Sequence, residues 1–365
     1  MELYCVEQLP VMQNRMFQTR QEAIDCIKAD IVLVQDSSTG LIYNRAFRPE
    51  LVTYDGSYDN EQGLSAAFKE HLNEVASLFK RHFAHCSLLE IGCGKGTFLE
   101  KLRAIGYDIV GYDPSYTGNS PHIQKDVFDQ NSRAGADGII LRHVLEHIAN
   151  PLDFLIKLRE CSHGSGRIYI EVPCFDWICS HRAWFDVFYE HVNYFRLKDL
   201  QRMFGRVFGS GHLFGGQYIY IVGDLATVQE LRATSDDVAA MPNDFSTGIM
   251  SCAESLRDAR KSSKAPAVVW GAASKGVVFS LLMQRAGIEV DYVVDINPRK
   301  QGRFLAATGL EVFAPERAIT ELPNKSTVVV PNGNYLPEIK QMTRDRFNYI
   351  QIDGPSEQNL LGTKV

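Results

Sequence analysis

The sequence predicts an α/β protein: a Rossmann-like doubly wound domain, then a second Rossmann-like C-terminal domain, with a small N-terminal cap. Three observations carry this. Short apolar runs alternate with helix-length amphipathic segments in two separate series along the chain, the pattern of parallel strands covered by helices. Each series opens with a strand, a glycine turn and a helix, at "LLEIGCGKG" and at "AVVWGAASKG". Between them the chain turns polar, in "DLATVQELRATSDDVAAMPNDFSTGIMSCAESLRDARKSSKAP", which reads as a linker and a bridging helix. At 365 residues the chain exceeds one ordinary core. The expected boundaries are 1–66 for the cap, 67–222 for the first doubly wound domain and 223–365 for the second.

In the cap, "DIVLVQ" at 30 to 35 and "LIYN" read as strands around the turn "DSSTG", and the aromatic stretch "YDGSYDNEQ" follows. A piece this small is expected to act only as a lid. The first series then runs helix ("SAAFKEHLNEVASLFKRHF"), strand ("SLLEI"), helix, strand ("YDIVGYD"), strand ("GIILR"), helix ("NPLDFLIKLREC") and strand ("RIYIEVP"). Pro151 starts the last of these helices. The second runs "AVVW", helix "SKGVVFSLLMQRAG", "EVDYVVD", "STVVVPN", helix "YLPEIKQMT" and strand "NYIQID".

Composition narrows the function. With 45% hydrophobic and 22% charged residues and no long apolar run, the chain reads as a globular protein without a membrane span. Its start lacks a basic segment leading into an apolar one, so a cytoplasmic location is expected. Net charge is -6 and no stretch concentrates Lys and Arg, which argues against nucleic acid and for a small-molecule partner. Eight scattered cysteines without a Cys-x2-Cys pair read as reduced thiols.

The first glycine turn identifies a cofactor. In "EIGCGKG", Glu90 closes a strand and Gly92, Gly94 and Gly96 follow at alternate positions. Without Cβ atoms the chain turns tightly, and an adenosyl ligand can lie against the backbone amides. The spacing is not the G-x-G-x-x-G that seats a pyrophosphate on a helix N-terminus; S-adenosylmethionine has no pyrophosphate. Asp113 stands 17 residues after Gly96, where an acid accepts hydrogen bonds from ribose hydroxyls. Further on, "LRHVLEHIANP" places His143, Glu146 and His147 in a loop after a strand, on the ligand side of a doubly wound sheet. The alternatives there are a cap or a packing role.

At this point the residues resemble the class I S-adenosylmethionine-dependent methyltransferases, and within them the three-domain group that includes deoxysugar C-methyltransferases. The resemblance runs from about residue 40 onward, through "YDGSYDNEQGLSAAFKEHL", "LLEIGCGKGTFL", "LRHVLEHIANP", "IYIEVP", "FYEHVNYF", "GGQYI", "WGAASKG", "VDINPRKQGRF" and "PNGNYLPEI". It implies a cap, a central cofactor domain and a C-terminal domain that closes over the acceptor. Cofactor-binding positions under it are Glu90, Gly92, Cys93, Gly94, Gly96, Asp113, Pro114, Arg142, His143, Tyr54, Tyr58, Gln62 and Ser65. Two departures stand out. The family's cysteine-rich, zinc-holding cap has no counterpart, since only Cys5 and Cys26 lie in the first 70 residues; neither zinc nor any other metal is expected. The family's Tyr-His-Glu-His is replaced by Phe188-Tyr189-Glu190-His191.

Methyl transfer needs the nucleophile and methyl group held close, in line and dry. A carbon nucleophile beside a ketone also needs a base, and histidine suits neutral pH. His191 is expected as that base, Glu190 as its orienting partner, and Tyr189 and His143 as hydrogen-bonding partners of the acceptor. Tyr54 and Tyr58 are expected to close over the sulfonium, and His147, Gln217, Lys275 and Asn332 to meet the acceptor. Lys275, Arg299 and Lys300 could alternatively meet an acceptor phosphate. The expected function is C-methylation of a small polar metabolite, a nucleotide-linked keto sugar. Three alternatives stay open: O- or N-methylation of another intermediate, cofactor binding without transfer, and a nicotinamide site in residues 268 to 295.

Overall fold

Three separate sheets organise the chain, which is described by a computed structural model over residues 1–129, 135–162, 164–234, 237–263 and 266–354. The N-terminal sheet is antiparallel, in the order Glu2–Pro10, Lys28–Gln35, Ile42–Asn44 and Asn193–Tyr194. Its first strand was not expected from sequence, because "ELYCVEQLP" alternates poorly. Pairing supplies what periodicity lacks: Glu2 faces Val34 and Pro10 faces Lys28, with two register shifts between. The last strand comes from far along the chain, so the cap is a sheet built into the body and not a lid. Leu9, Ile31 and Leu33 are fully buried beneath it. Cys5 is exposed and every described cysteine is a free thiol.

The central sheet runs Val207–Leu213, Tyr218–Asp224, Arg167–Pro173, Gly138–Arg142, Leu88–Ile91, Ile109–Tyr112 and Ile123–Gln124. Five strands are parallel, but Tyr218–Asp224 pairs antiparallel with both neighbours, so the sheet is mixed where parallel order was expected. A short hairpin turn permits that edge, whereas parallel neighbours need a helical crossover. In the C-terminal sheet, Val312–Phe313, Tyr292–Val294, Ala267–Trp270, Thr327–Val330 and Asn348–Gln351 are all parallel. "AVVW" and "TVVV" are buried at every residue, as strands covered on both faces must be.

The parallel strands of the central and the C-terminal sheet each reverse their order at a single point. In the central sheet this lies between Leu88–Ile91 and Gly138–Arg142, and in the C-terminal sheet between Ala267–Trp270 and Thr327–Val330. Such points open a crevice beyond the strands' carboxyl ends. Helix Ala66–His82 leads into the first: the Ser65 hydroxyl caps it by accepting from Phe68 N, and Phe68, Leu72, Val75 and Phe79 bury one face. Among the described residues no helix is long and apolar enough to cross a membrane.

Candidate active site

The loop after Gly138–Arg142 and the loops of the C-terminal sheet's switch point face each other across one open cleft. His143, Glu146 and His147 enter it from the loop after Gly138–Arg142, and Glu190 and His191 from the segment before Asn193–Tyr194. The C-terminal sheet supplies Gly271 to Gly276 and Pro331 to Asn332, from the loops on either side of its own switch point.

None of Gly92, Cys93, Gly94, Gly96 or Asp113 lines this cleft; the turn is linked to it through Thr97, whose Oγ1 donates to Glu61 in the cleft wall. A Cβ on Gly92 would stand 2.4 Å from Val144 Cγ2, and one on Gly96 the same distance from Ile123 Cδ1. At Gly94, with φ +57, nothing lies within 4 Å. The protein therefore fills the space at the two outer glycines and leaves the middle one bare, the cradle an adenosyl group requires. Gly94 N donates to Asp113 Oδ2 at 2.7 Å, and Ser115 N and Oγ donate to Oδ1 at 2.7 and 2.6 Å. These bonds hold the Asp113 carboxylate beside the turn, and Pro114 follows it. Glu90 is buried with Oε2 unpartnered, and burial pushes its carboxyl up to about 8. Cys93 turns its thiol into the core against Gly111, leaving only its backbone for a ligand.

Arg142 is placed differently from the expectation. Its guanidinium donates to Glu171 Oε1 at 3.1 Å and lies 4.7 Å over the Phe98 ring, under the site and not facing it. Glu171 is a hub that sequence reasoning missed: Tyr169 Oη donates to Oε2 at 2.6 Å, while His71 Nε2 and His143 Nε2 stand 2.9 and 3.2 Å from Oε1. Burial opposes its charge, but Arg142, His143 and His71 outweigh that and hold the carboxylate well below its usual range. An acid in the middle of the apolar strand "RIYIEVP" was the available signal. His143 sits at φ +55, its Nδ1 3.5 Å from Glu146 Oε1. Burial alone would lower its imidazole, yet Glu146 and Glu171 raise it to about 9, so it carries a proton at neutral pH.

His191 is the opposite case. Burial, reinforced by His147, His143 and Lys275, holds it well below its usual value, so its ring is neutral with a lone pair available. It packs 4.0 Å from Phe188 and 5.0 Å from His147, centroid to centroid. The His147 Nδ1 lies 2.8 Å from both Tyr54 Oη and the Glu190 carbonyl, which leaves Nε2 for the cleft. The Glu190 carboxylate accepts from Gln13 N at 2.5 Å, Asn14 N at 3.3 Å and Tyr58 Oη at 3.0 Å, and burial raises it. Gln13 and Asn14, from the cap, thus help build the wall; no local motif marks them.

Other expected site residues have partners within the protein, and of these Lys275, Lys300, Gln217, Asn332, Gln62 and Ser65 also line the cleft. Tyr189 faces away from the cleft: its hydroxyl accepts from Arg48 N at 2.8 Å and its ring stacks on Phe47. Tyr54 does not line the cleft itself but contacts two residues that do, His147 and Tyr58. Lys275 does not stand free for a phosphate: it pairs with Asp186 at 3.0 Å and lies 4.8 Å over the Trp177 ring. Lys300 Nζ donates to the Ala272 carbonyl at 3.1 Å, and Arg299 is 3.6 Å from Asp59. Gln217 Oε1 accepts from Asn332 Nδ2 at 3.0 Å, joining the two doubly wound units across the cleft. Gln62 and Ser65 are bonded to Tyr335 and Glu338.

Among the described residues, Glu146, His147 and His191 form the one group able to hold a metal ion, with a ligand atom from each within 4.8 Å of the others.

Residues 45–207 match the family model of a methyltransferase domain, and residues 226–347 match that of a C-methyltransferase C-terminal domain. The C-methyltransferase NovU of Streptomyces niveus is 24% identical over 292 residues, spanning 69% of this chain and 67% of that one. Among solved structures, an S-adenosylmethionine-dependent methyltransferase of Archaeoglobus fulgidus overlaps 44% of this chain and 100% of its own at 19% identity and a TM-score of 0.31. The magnesium protoporphyrin IX methyltransferase of Synechocystis overlaps 43% and 80%, at 13% identity and a TM-score of 0.31.

Proposed function

Because the chain belongs to the S-adenosylmethionine-dependent methyltransferases and carries the C-terminal domain of the C-methyltransferases, we propose that its acceptor is a keto sugar linked to a nucleotide. The methylated atom is then a carbon beside the sugar's carbonyl. One observation carries this reading: a neutral, buried His191 lines the cleft together with Glu190 and His147.

His191 takes the proton from the carbon next to the carbonyl, and the freed electron pair moves toward the carbonyl oxygen as an enolate. His143, cationic at neutral pH, turns both ring nitrogens toward carboxylates, Glu146 and Glu171, so it orders this wall of the cleft. Glu190, tied to Gln13, Asn14 and Tyr58, holds the segment that presents His191. Gly94 and Asp113 seat the cofactor, which when bound supplies a methyl group on a sulfonium for displacement by carbon. Asn14, Tyr58, Gln217, Ser274 and Asn332 line the cleft with uncharged donors and acceptors, a match for sugar hydroxyls. The Phe188 ring lies tilted against His191, 4.0 Å between centroids, so no phenol stands at that position.

The test is incorporation of solvent deuterium into a nucleoside-diphosphate keto-deoxyhexose with S-adenosylmethionine withheld. Exchange is expected, and none at all would favour O- or N-methylation. His191→Asn should lower turnover by about 100-fold or more while leaving S-adenosylhomocysteine affinity within about twofold. Unchanged turnover would remove His191 from the role of base.

A further inference from the structure

The segment from Asp59 to Ala67 is strapped at both ends. On the glycine-turn side, Thr97 Oγ1 donates to Glu61 Oε2 at 2.8 Å, and Thr97 is the first residue of the helix that Gly96 caps. Gly63 fits closely against it, since a Cβ there would stand 2.6 Å from Thr97 Cγ2. On the other side the side-chain anchors belong to the C-terminal sheet's loops and helices, while Asp59 N donates to the Asn14 carbonyl of the cap at 3.2 Å. Asn297 Nδ2 donates to Asp59 Oδ1 at 3.0 Å, and Tyr335 Oη donates to Gln62 Oε1 at 3.0 Å. Glu338 accepts from Ser65 Oγ at 2.5 Å, Ala66 N at 3.1 Å and Ala67 N at 3.3 Å.

The chemistry of the last anchor is specific. Helix Ala66–His82 begins at this point, and its first amides have no partner within the helix. A carboxylate there satisfies donors and meets the positive end of the helix dipole. Ser65 alone would cap Phe68 N; Glu338 adds an anion from a helix more than 270 residues away, at a sequence separation of 273 from Ser65. Gln62, Ser65, Tyr335 and Glu338 all line the cleft, so the strap forms part of its wall.

We propose that Glu338, with Tyr335, is a positioning residue for cofactor binding. The C-terminal domain holds the strap against the helix of the glycine turn, and affinity for S-adenosylmethionine depends on residues remote from the glycines. The proposal rests on the placement of Gln62 and Ser65 beside the cofactor.

Calorimetric titration of the full chain with S-adenosylhomocysteine tests it, with thermal unfolding of the unliganded protein recorded alongside. Glu338→Ala should weaken binding by about 10-fold, the loss of a helix cap expressed as affinity. Tyr335→Phe should weaken it by about threefold, and Glu338→Gln, which keeps an acceptor oxygen, should restore most of the loss. A residue that served only the fold would lower the melting temperature and leave the Kd of the folded protein unchanged. Gln62→Ala separates the two layers of the argument. If it weakens binding while Glu338→Ala and Tyr335→Phe bind within about twofold of wild type, the positioning role is overturned. Should Gln62→Ala also bind as wild type does, the strap does not border the cofactor and the proposal falls with that placement. If Glu338→Ala fails to fold, Tyr335→Phe decides.

Discussion

Replacing Gly94 by alanine probes the cofactor cradle directly. The new methyl group would meet no protein atom within 4 Å, so any steric effect on binding comes from the ligand. The backbone effect is separate: at φ +57 a non-glycine residue is left-handed, which costs about 1–2 kcal/mol. For a domain of about 150–250 residues that corresponds to a fall in melting temperature of roughly 2–4 °C per kcal/mol. Intrusion into the adenosyl space should cost at least about 1.4 kcal/mol more in binding, a tenfold weaker Kd. Gly106→Ala is the control, because Gly106 also has positive φ, +100, with nothing within 4 Å, but stands just beyond the far end of the helix that follows the turn. Scanning fluorimetry and S-adenosylhomocysteine titration of both variants separate the two effects. Both should melt lower, and only Gly94→Ala should bind more weakly. Equal affinity in the two would show that the open space at Gly94 is not where the cofactor lies.

Two further outcomes follow from the buried charges. Glu171→Gln removes the anion that faces Arg142, His143 and His71; uncompensated buried charge should cost about 3–5 kcal/mol in urea unfolding, and a loss below about 1 kcal/mol would contradict the hub. His143 ties stability to pH: folded, it keeps its proton up to about 9, while the unfolded chain releases it near 6.5. Its contribution is complete below pH 6.5, declines as pH rises and is gone above about 9. Wild type should therefore lose stability across that interval relative to His143→Gln, by no more than about 3 kcal/mol; parallel curves would show that His143 is not held cationic.

Features contiguous along the chain can be read without coordinates. Alternating apolar runs and helices, the glycines at 92, 94 and 96 with Asp113 beyond them, and the Glu190-His191 pair are each legible within a short window, because backbone conformation and periodicity are local properties. Tertiary structure decided the rest. The strand Glu2–Pro10 exists through pairing with Lys28–Gln35, and the hairpin at Val207–Leu213 and Tyr218–Asp224 makes the central sheet mixed. Arg142 and Lys275 are typical ligand-binding cations in sequence, yet Glu171 and Asp186 neutralise them. Tyr189 turns outward beside an inward Glu190, since that choice belongs to packing against Phe47. Asn14 meets Ser274 across 260 residues of chain, and Glu338 reaches Ser65 across 273. Contacts at such separations depend on how whole sheets dock, and docking is set by buried surface and charge pairing that no local window contains.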